Sequence, residues 1–205
     1  MLPTPPIPDW IKSFRHKSYT NIYERCPDET RLYGTESLYG DWDGELLLLA
    51  QDFAPASLLG ERKDDPRPYH HTCWITHPKM LGAKTNKRLF GFAKQIDRGK
   101  LYGSALANLL RNNPRGNLPI DAEIESFICR VLKFTAEHMP HLRAIVCLGN
   151  VSRRYATRVF SAVDSDWKER GIKLFMMPHP RVASNLEIRE CRDVLLDFFK
   201  GDLVK

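Results

Sequence analysis

The 205-residue sequence lacks any apolar run approaching the ~20 residues needed to cross a bilayer. It also lacks internal repeats and a glycine-rich phosphate loop of the GxGxxG or P-loop type. Its five cysteines include no CxxC pair, so we expect no zinc or iron–sulfur site and no cofactor. Residues 1–8 are proline-rich and lack the apolar core of a signal peptide. These features predict a cytoplasmic protein with reduced thiols and no metal or membrane partner.

The charge of the chain is moderately positive. It carries 31 basic and 25 acidic residues, for a net charge of +6. This excess is compatible with a polyanionic partner but does not establish one. With no low-complexity linker, residues 1–205 are predicted to form a single domain.

Apolar runs and helical periodicity alternate along the chain. Predicted strands cover residues 45–50, 104–110, 143–149 and 172–177. Predicted helices cover 10–26, 85–96, a segment after the cap residue Asp121, a segment from 150 onward, and 186–199. The last helix is predicted to bury Leu186, Cys191, Val194, Leu195 and Phe198. This alternation predicts an α/β fold, a parallel sheet with helices on both faces.

Four short motifs carry polar residues at the ends of the apolar runs or within them. They are AQDFAP at 50–55, Asn108 within SALANLL, IVCLGN at 145–150 and HPRVAS at 179–184. In this order and spacing they resemble the motifs of the uracil-DNA glycosylase superfamily. The resemblance covers about residues 44–199. It implies a three-layer α/β/α sandwich around a four-stranded parallel sheet, and a monomer that acts without cofactor on an extruded base.

Asp52 lies just after the apolar run 46–50. It matches the aspartate in the first motif of the family. A carboxylate beneath the sugar can stabilise positive charge that develops when an N-glycosidic bond breaks, and it can position the attacking water. The alternative is an aspartate that serves only as a turn or helix cap.

His179 opens the second family motif, where the resemblance implies a hydrogen bond to uracil O2 as the base departs. The alternative is a histidine satisfied by backbone at a strand end. Asn108 has a carboxamide that can accept from uracil N3–H while it donates to O4, so it can discriminate uracil from cytosine. Its alternative is a structural amide that joins neighbouring loops.

The remaining predicted substrate contacts lie in the first motif. Gln51 is adjacent to Asp52, and Phe53 is the aromatic residue best placed to stack on the base, although it could equally point into the core. Ala54 aligns with a tyrosine that blocks C5 substituents in the most selective family members. A methyl side chain there predicts tolerance of bulkier or deaminated bases.

DNA contacts are predicted in the second motif and at the start of a helix. Arg181, Val182 and Ser184 follow His179, and Lys84 precedes the predicted helix 85–96. Arg181 could act as a wedge in the base stack or hold a phosphate; otherwise it is a solvated surface cation. Ser184 could instead brace the His179 turn.

Taken together, the sequence predicts a DNA-repair glycosylase. It would hydrolyse the N-glycosidic bond of uracil in single- or double-stranded DNA, releasing uracil and leaving an abasic site. Asp52 and His179 would be catalytic. Three alternatives remain: a hydrolase of free nucleosides or nucleotides, a non-catalytic binder of damaged DNA, and a flavodoxin-like nucleotide-binding module.

Overall fold

The computed structural model describes residues 5–25, 39–52, 56, 84–113, 120–161, 167 and 169–201. Within these residues the helices are α1 (Asp9–Lys12), α2 (Ile22–Arg25), α3 (Lys84–Lys94), α4 (Ala122–Glu137), α5 (Asn150–Phe160) and α6 (Asn185–Gly201). The strands are β1 (Tyr19–Asn21), β2 (Tyr39–Gly40), β3 (Leu46–Ala50), β4 (Lys100–Ser104), β5 (Leu109–Arg111), β6 (Ala144–Leu148) and β7 (Lys173–Met177).

The main sheet has the strand order β2-β4-β3-β6-β7. Strands β4, β3, β6 and β7 are parallel, as predicted, and β2 adds an antiparallel edge strand that the sequence analysis did not anticipate. A second, two-stranded sheet pairs β1 with β5 in antiparallel register, with Tyr19 opposite Arg111.

Helices cover both faces of the main sheet. The consecutive leucines of β3 alternate between two separate cores, which explains why the strand reads as a continuous apolar run. Leu47 and Leu49 pack in the core that includes α4 and α5, whereas Leu46 and Leu48 pack in the core that includes α3 and α6. The predicted three-layer arrangement of helices, sheet and helices is therefore present.

Two of the predicted elements are wrong. The predicted helix 10–26 ends after one turn, because the Asn21 side chain donates to the carbonyls of Ile11 (2.7 Å) and Phe14 (3.2 Å) and holds the chain in a loop before β1. The predicted strand 104–110 is largely a turn over residues 105–108, and the parallel strand β4 lies before it, at Lys100–Ser104, where no strand was predicted. Ala107 there has a φ of 43°, which no strand residue adopts.

The other helix and strand predictions agree with the structure within a few residues. Asp121 caps α4, and its carboxylate accepts from the Ile124 N–H at 3.1 Å. The predicted apolar side of α6 is partly wrong. Leu186 and Val194 are 60% and 58% exposed, since the buried face follows Cys191, Leu195 and Phe199 at intervals of four residues. No helix within the described residues is long and apolar enough to span a membrane.

Candidate active site

The strand order reverses direction at β3. The chain passes from β3 to β4 on one side and later returns to place β6 on the other side, so β3 and β6 flank a topological switch point. In open α/β sheets, ligands bind beyond the carboxyl ends of the strands at such a point. Asp52 follows β3, Gly149 follows β6 and His179 follows β7. The two predicted catalytic residues therefore lie at the same edge of the sheet.

Gly149 follows β6 and lies beside His179. Its φ of 104° is a conformation that favours glycine, and a Cβ at this position would lie 3.8 Å from the Cβ of His179. The Gly149 N–H also donates to the Met177 carbonyl at 2.9 Å, which joins the ends of β6 and β7. Because β3 and β7 are two strand spacings apart, their ends are separated by ~10 Å, a distance on the scale of a nucleoside.

Two side chains orient the Asp52 carboxylate. The amide nitrogen of Gln51 donates to Oδ2 at 2.8 Å, and the Nε of Arg111 lies 3.2 Å from Oδ1. The Asp52 side chain is only 12% exposed. Each carboxylate oxygen has two lone-pair directions, and its contact with the described residues uses one of them, which leaves the other for a water molecule or a sugar.

Arg111 and Tyr19 are neighbours of Asp52 that the sequence analysis missed. Both belong to the small sheet of β1 and β5. Burial, together with the carboxylates of Asp52 and Asp121, raises the pKa of Tyr19 to about 12, so its phenol stays protonated at neutral pH. The available signal was the basic residue that ends the apolar run after Asn108, but its partner could not be read from the sequence.

His179 sits in a tight turn whose backbone defines the imidazole tautomer. The carbonyl of His179 accepts from the N–H groups of Val182 (2.8 Å) and Ala183 (3.0 Å). The Arg181 N–H donates to the imidazole Nδ1 at 3.2 Å. Because Nδ1 is an acceptor, the neutral ring carries its proton on Nε2 and can donate from that atom.

The electrostatic surroundings favour this neutral form. Desolvation by the surrounding protein lowers the pKa of His179 below its ordinary value, and the charge of Arg181 lowers it as well. The carboxylate of Asp52 acts in the opposite direction and raises the pKa. The Asp52 charge thus acts on the imidazole, as expected for two groups at the same edge of the sheet.

Arg88 of α3 braces the His179 turn. Its guanidinium donates to the carbonyls of Pro180 (3.2 Å) and Ala183 and to the side-chain oxygen of Asn185 (3.1 Å). A planar guanidinium suits this task because its donors have fixed directions. Arg88 therefore has a positioning role, which the sequence did not predict.

Replacing Arg88 with Ala should lower the free energy of unfolding by about 1–3 kcal/mol, because the carbonyls of Pro180 and Ala183 lose their donor. Urea denaturation measures this change. The matched control is Lys87→Ala, which removes the neighbouring exposed cation of α3 and should change stability by less than ~0.5 kcal/mol. Equal losses in the two variants would contradict the bracing role.

Asn108 occupies the turn between β4 and β5, not the middle of a strand as predicted. The turn lies against the end of β3, because the Ala105 and Leu106 N–H groups donate to the carbonyls of Ala50 (3.0 Å) and Gln51 (3.3 Å). The Asn108 carbonyl accepts from the Ile22 N–H at 3.0 Å, and its side chain is 2% exposed. Asn108 is thus held near Asp52, and its role as a base-reading residue stays a prediction.

The predicted DNA contacts have different surroundings. Arg181 and Val182 are exposed at the tip of the His179 turn, Val182 by 75%. Ser184 caps α6: its hydroxyl accepts from the Glu187 N–H at 3.1 Å, and its own N–H donates to the Glu187 carboxylate at 2.7 Å. This reciprocal pair fixes the start of α6, and the predicted phosphate contact of Ser184 stays a prediction.

Three other predicted contacts are only partly described or not described. Lys84 is the first residue of α3. Phe53 and Ala54 lie outside the described residues.

Within the described part of the chain, no three His, Cys, Asp or Glu side chains come together as a metal site. No protein-family model matches the sequence, and no curated protein matches it.

Proposed function

We propose that this protein is a DNA glycosylase that removes uracil from DNA and leaves an abasic site. The observation that carries the proposal is the placement of Asp52 and His179 on either side of Gly149, at the carboxyl ends of three adjacent parallel strands. The four motifs that resemble those of the uracil-DNA glycosylase superfamily support the same reading.

In the proposed reaction, the bond between uracil N1 and the sugar C1′ breaks and its electrons leave with the base. Asp52 faces the sugar, where its charge stabilises the developing cation and orients the water that adds to C1′. The proton that this water loses passes to the Asp52 carboxylate, and the uracil anion takes up a proton after it is released. His179 donates from Nε2 to uracil O2, where negative charge accumulates. A neutral imidazole suits this task because its Nδ1 is already occupied by the Arg181 N–H.

The exposed tip of the His179 turn supports contact with DNA. In the motif comparison, Ala183 aligns with the family's wedge leucine, but Ala183 is buried, with 2% of its surface exposed. The adjacent Val182 is 75% exposed. We therefore assign the wedge role to Val182, whose apolar side chain would fill the gap that the flipped base leaves. Arg181 beside it is placed to meet a phosphate.

The test uses single- and double-stranded oligonucleotides that carry one uracil. After incubation with the protein, alkali should cut each strand at the uracil position, and free uracil should appear in equal amount. Thymine at the same position tests the tolerance predicted from Ala54, and free deoxyuridine tests the nucleoside-hydrolase alternative. Intact oligonucleotides under all conditions, or release from deoxyuridine alone, would contradict the proposal.

A further inference from the structure

A basic groove lies between α3 and α6, beside the candidate site but separate from it. Its volume is about 280 Å³. Among the described residues, nine line it, and these include four cations and no acid. The cations are Lys87, Arg88, Arg189 and Arg192. The lining of the groove thus carries charge of one sign, whereas acidic and basic residues alternate along the sequence of α6 as a whole.

The charges of α6 are sorted between its faces. Asn185, Ile188, Arg189 and Arg192 line the groove and follow the i, i+3, i+4, i+7 spacing of one helix face. The acids Glu187, Glu190 and Asp193 of the same helix fall between these positions and do not line the groove. The groove therefore presents positive charge to solvent although the helix as a whole is mixed.

Most of this positive charge is not neutralised. Lys87 and Arg189 are exposed, and neither forms a hydrogen bond or ion pair with the described part of the chain. Arg88 donates to two backbone carbonyls and a side-chain amide, which are neutral groups. Only Arg192 is paired with a carboxylate, that of Asp193 at 2.6 Å. Lys87 and Arg189 are thus available to an anionic partner, and the charge of Arg88, which no carboxylate among the described residues neutralises, adds to the positive potential of the groove.

One end of the groove reaches the candidate site. Arg88 and Asn185 line this end, and Arg88 contacts both Asn185 and the turn that holds His179. The groove extends along α3 from Arg88 to Gln95, which corresponds to ~10 Å at 1.5 Å per residue. This length matches about three nucleotides of one strand along a duplex axis.

Resting on the proposed glycosylase function, we propose that this groove binds the phosphate backbone of DNA that continues from the lesion. The chemistry it recognises is a row of phosphates, with Lys87 and Arg189 as the main contacts. Such contacts add affinity without reading sequence, because they address only the backbone.

The first test removes the two unpaired cations. The Lys87→Ala/Arg189→Ala variant should bind an undamaged duplex ~10-fold or more weakly at moderate salt, and its salt slope should be smaller by about 1.8. The control variant is Lys133→Ala/Lys173→Ala, which loses two exposed cations elsewhere on the chain and should bind like the wild type. Equal binding by the two double variants would overturn the proposal, as would an unchanged salt slope.

The second test adds a charge without removing a side chain. Gly91 lines the groove, and a Cβ at this position would have nothing within 4 Å. Gly91→Glu and Gly91→Gln introduce side chains of the same size that differ in charge. The Glu variant should bind duplex more weakly than the Gln variant by several-fold, and the difference should disappear at high salt. Equal binding by both variants at low salt would overturn the proposal.

Activity on substrates of two lengths separates this proposal from the proposed function. The Lys87→Ala/Arg189→Ala variant should lose kcat/KM on a long uracil-containing duplex, yet excise uracil from a trinucleotide as the wild type does. Equal losses on both substrates would mean that the cations act on the His179 turn and not on DNA. A wild type that excises nothing would refute the glycosylase function, while the binding tests on undamaged duplex would still decide the groove.

Discussion

Replacing Asp52 with Asn is expected to reduce the single-turnover rate of uracil release about 100-fold or more. The amide keeps the size of the carboxylate, and its single oxygen can still accept from Gln51, which donates to Asp52 at 2.8 Å. What it loses is the negative charge that stabilises the developing cation on the sugar. The loss should therefore fall on the chemical step, with the affinity for DNA retained.

The control for this variant is Asp43→Asn. Asp43 precedes β3, at the opposite edge of the sheet, where it lies 3.6 Å from His141. This variant should release uracil at the wild-type rate. Near-normal release by Asp52→Asn, with intact folding by circular dichroism, would mean that Asp52 is only a turn residue.

Replacing His179 with Ala is expected to lower the rate of uracil release by about 100–1,000-fold, the effect of removing one preorganised donor. His179→Gln should lose less, because its amide can still donate a hydrogen bond. The matched control is His141→Ala, since the His141 side chain is 65% exposed at the opposite edge of the sheet. A full rate in His179→Ala would refute the assigned role.

The same assignment predicts how the rate depends on pH. The pKa of His179 lies below the ordinary histidine value, chiefly because of desolvation. The imidazole is therefore mostly neutral at pH 7, and the rate should fall only as the pH drops through the lowered pKa of His179. Protonation puts a second proton on Nδ1, which then opposes the Arg181 N–H at 3.2 Å and disturbs the turn. A rate that already falls between pH 8 and 7 would contradict a His179 pKa below the ordinary histidine value.

The fold could be predicted well where its cause is local. The run Leu46–Ala50 is buried on both faces, so its apolar character alone identifies a central strand. The cap at Asp121 is equally local, because its partner Ile124 lies three residues away. Predictions failed where a distant contact decides the structure. The helix expected over 10–26 is interrupted by β1, which pairs with β5, some ninety residues further along the chain.

The candidate site could likewise be predicted from the sequence only where its cause is local. The positions of Asp52 and His179 at strand ends follow from the alternating pattern of strands and helices, since parallel strands share one carboxyl edge. Arg111 and Arg88 could not be assigned, because each acts on a partner far away in sequence. Arg88 contacts Pro180, which lies 92 residues further on, and nothing in the local sequence distinguishes it from Lys87.

The proposed reaction requires the Asp52 carboxylate and the His179 imidazole to face the same space. The most direct measurement is an NMR titration of the His179 ring, assigned by the signal that disappears in His179→Ala. We predict a pKa below 6.5 in the wild type, because desolvation outweighs the carboxylate that raises it. The pKa should be lower still in Asp52→Asn and unchanged in Asp43→Asn. A His179 pKa that is the same in the wild type and Asp52→Asn would contradict the shared cleft.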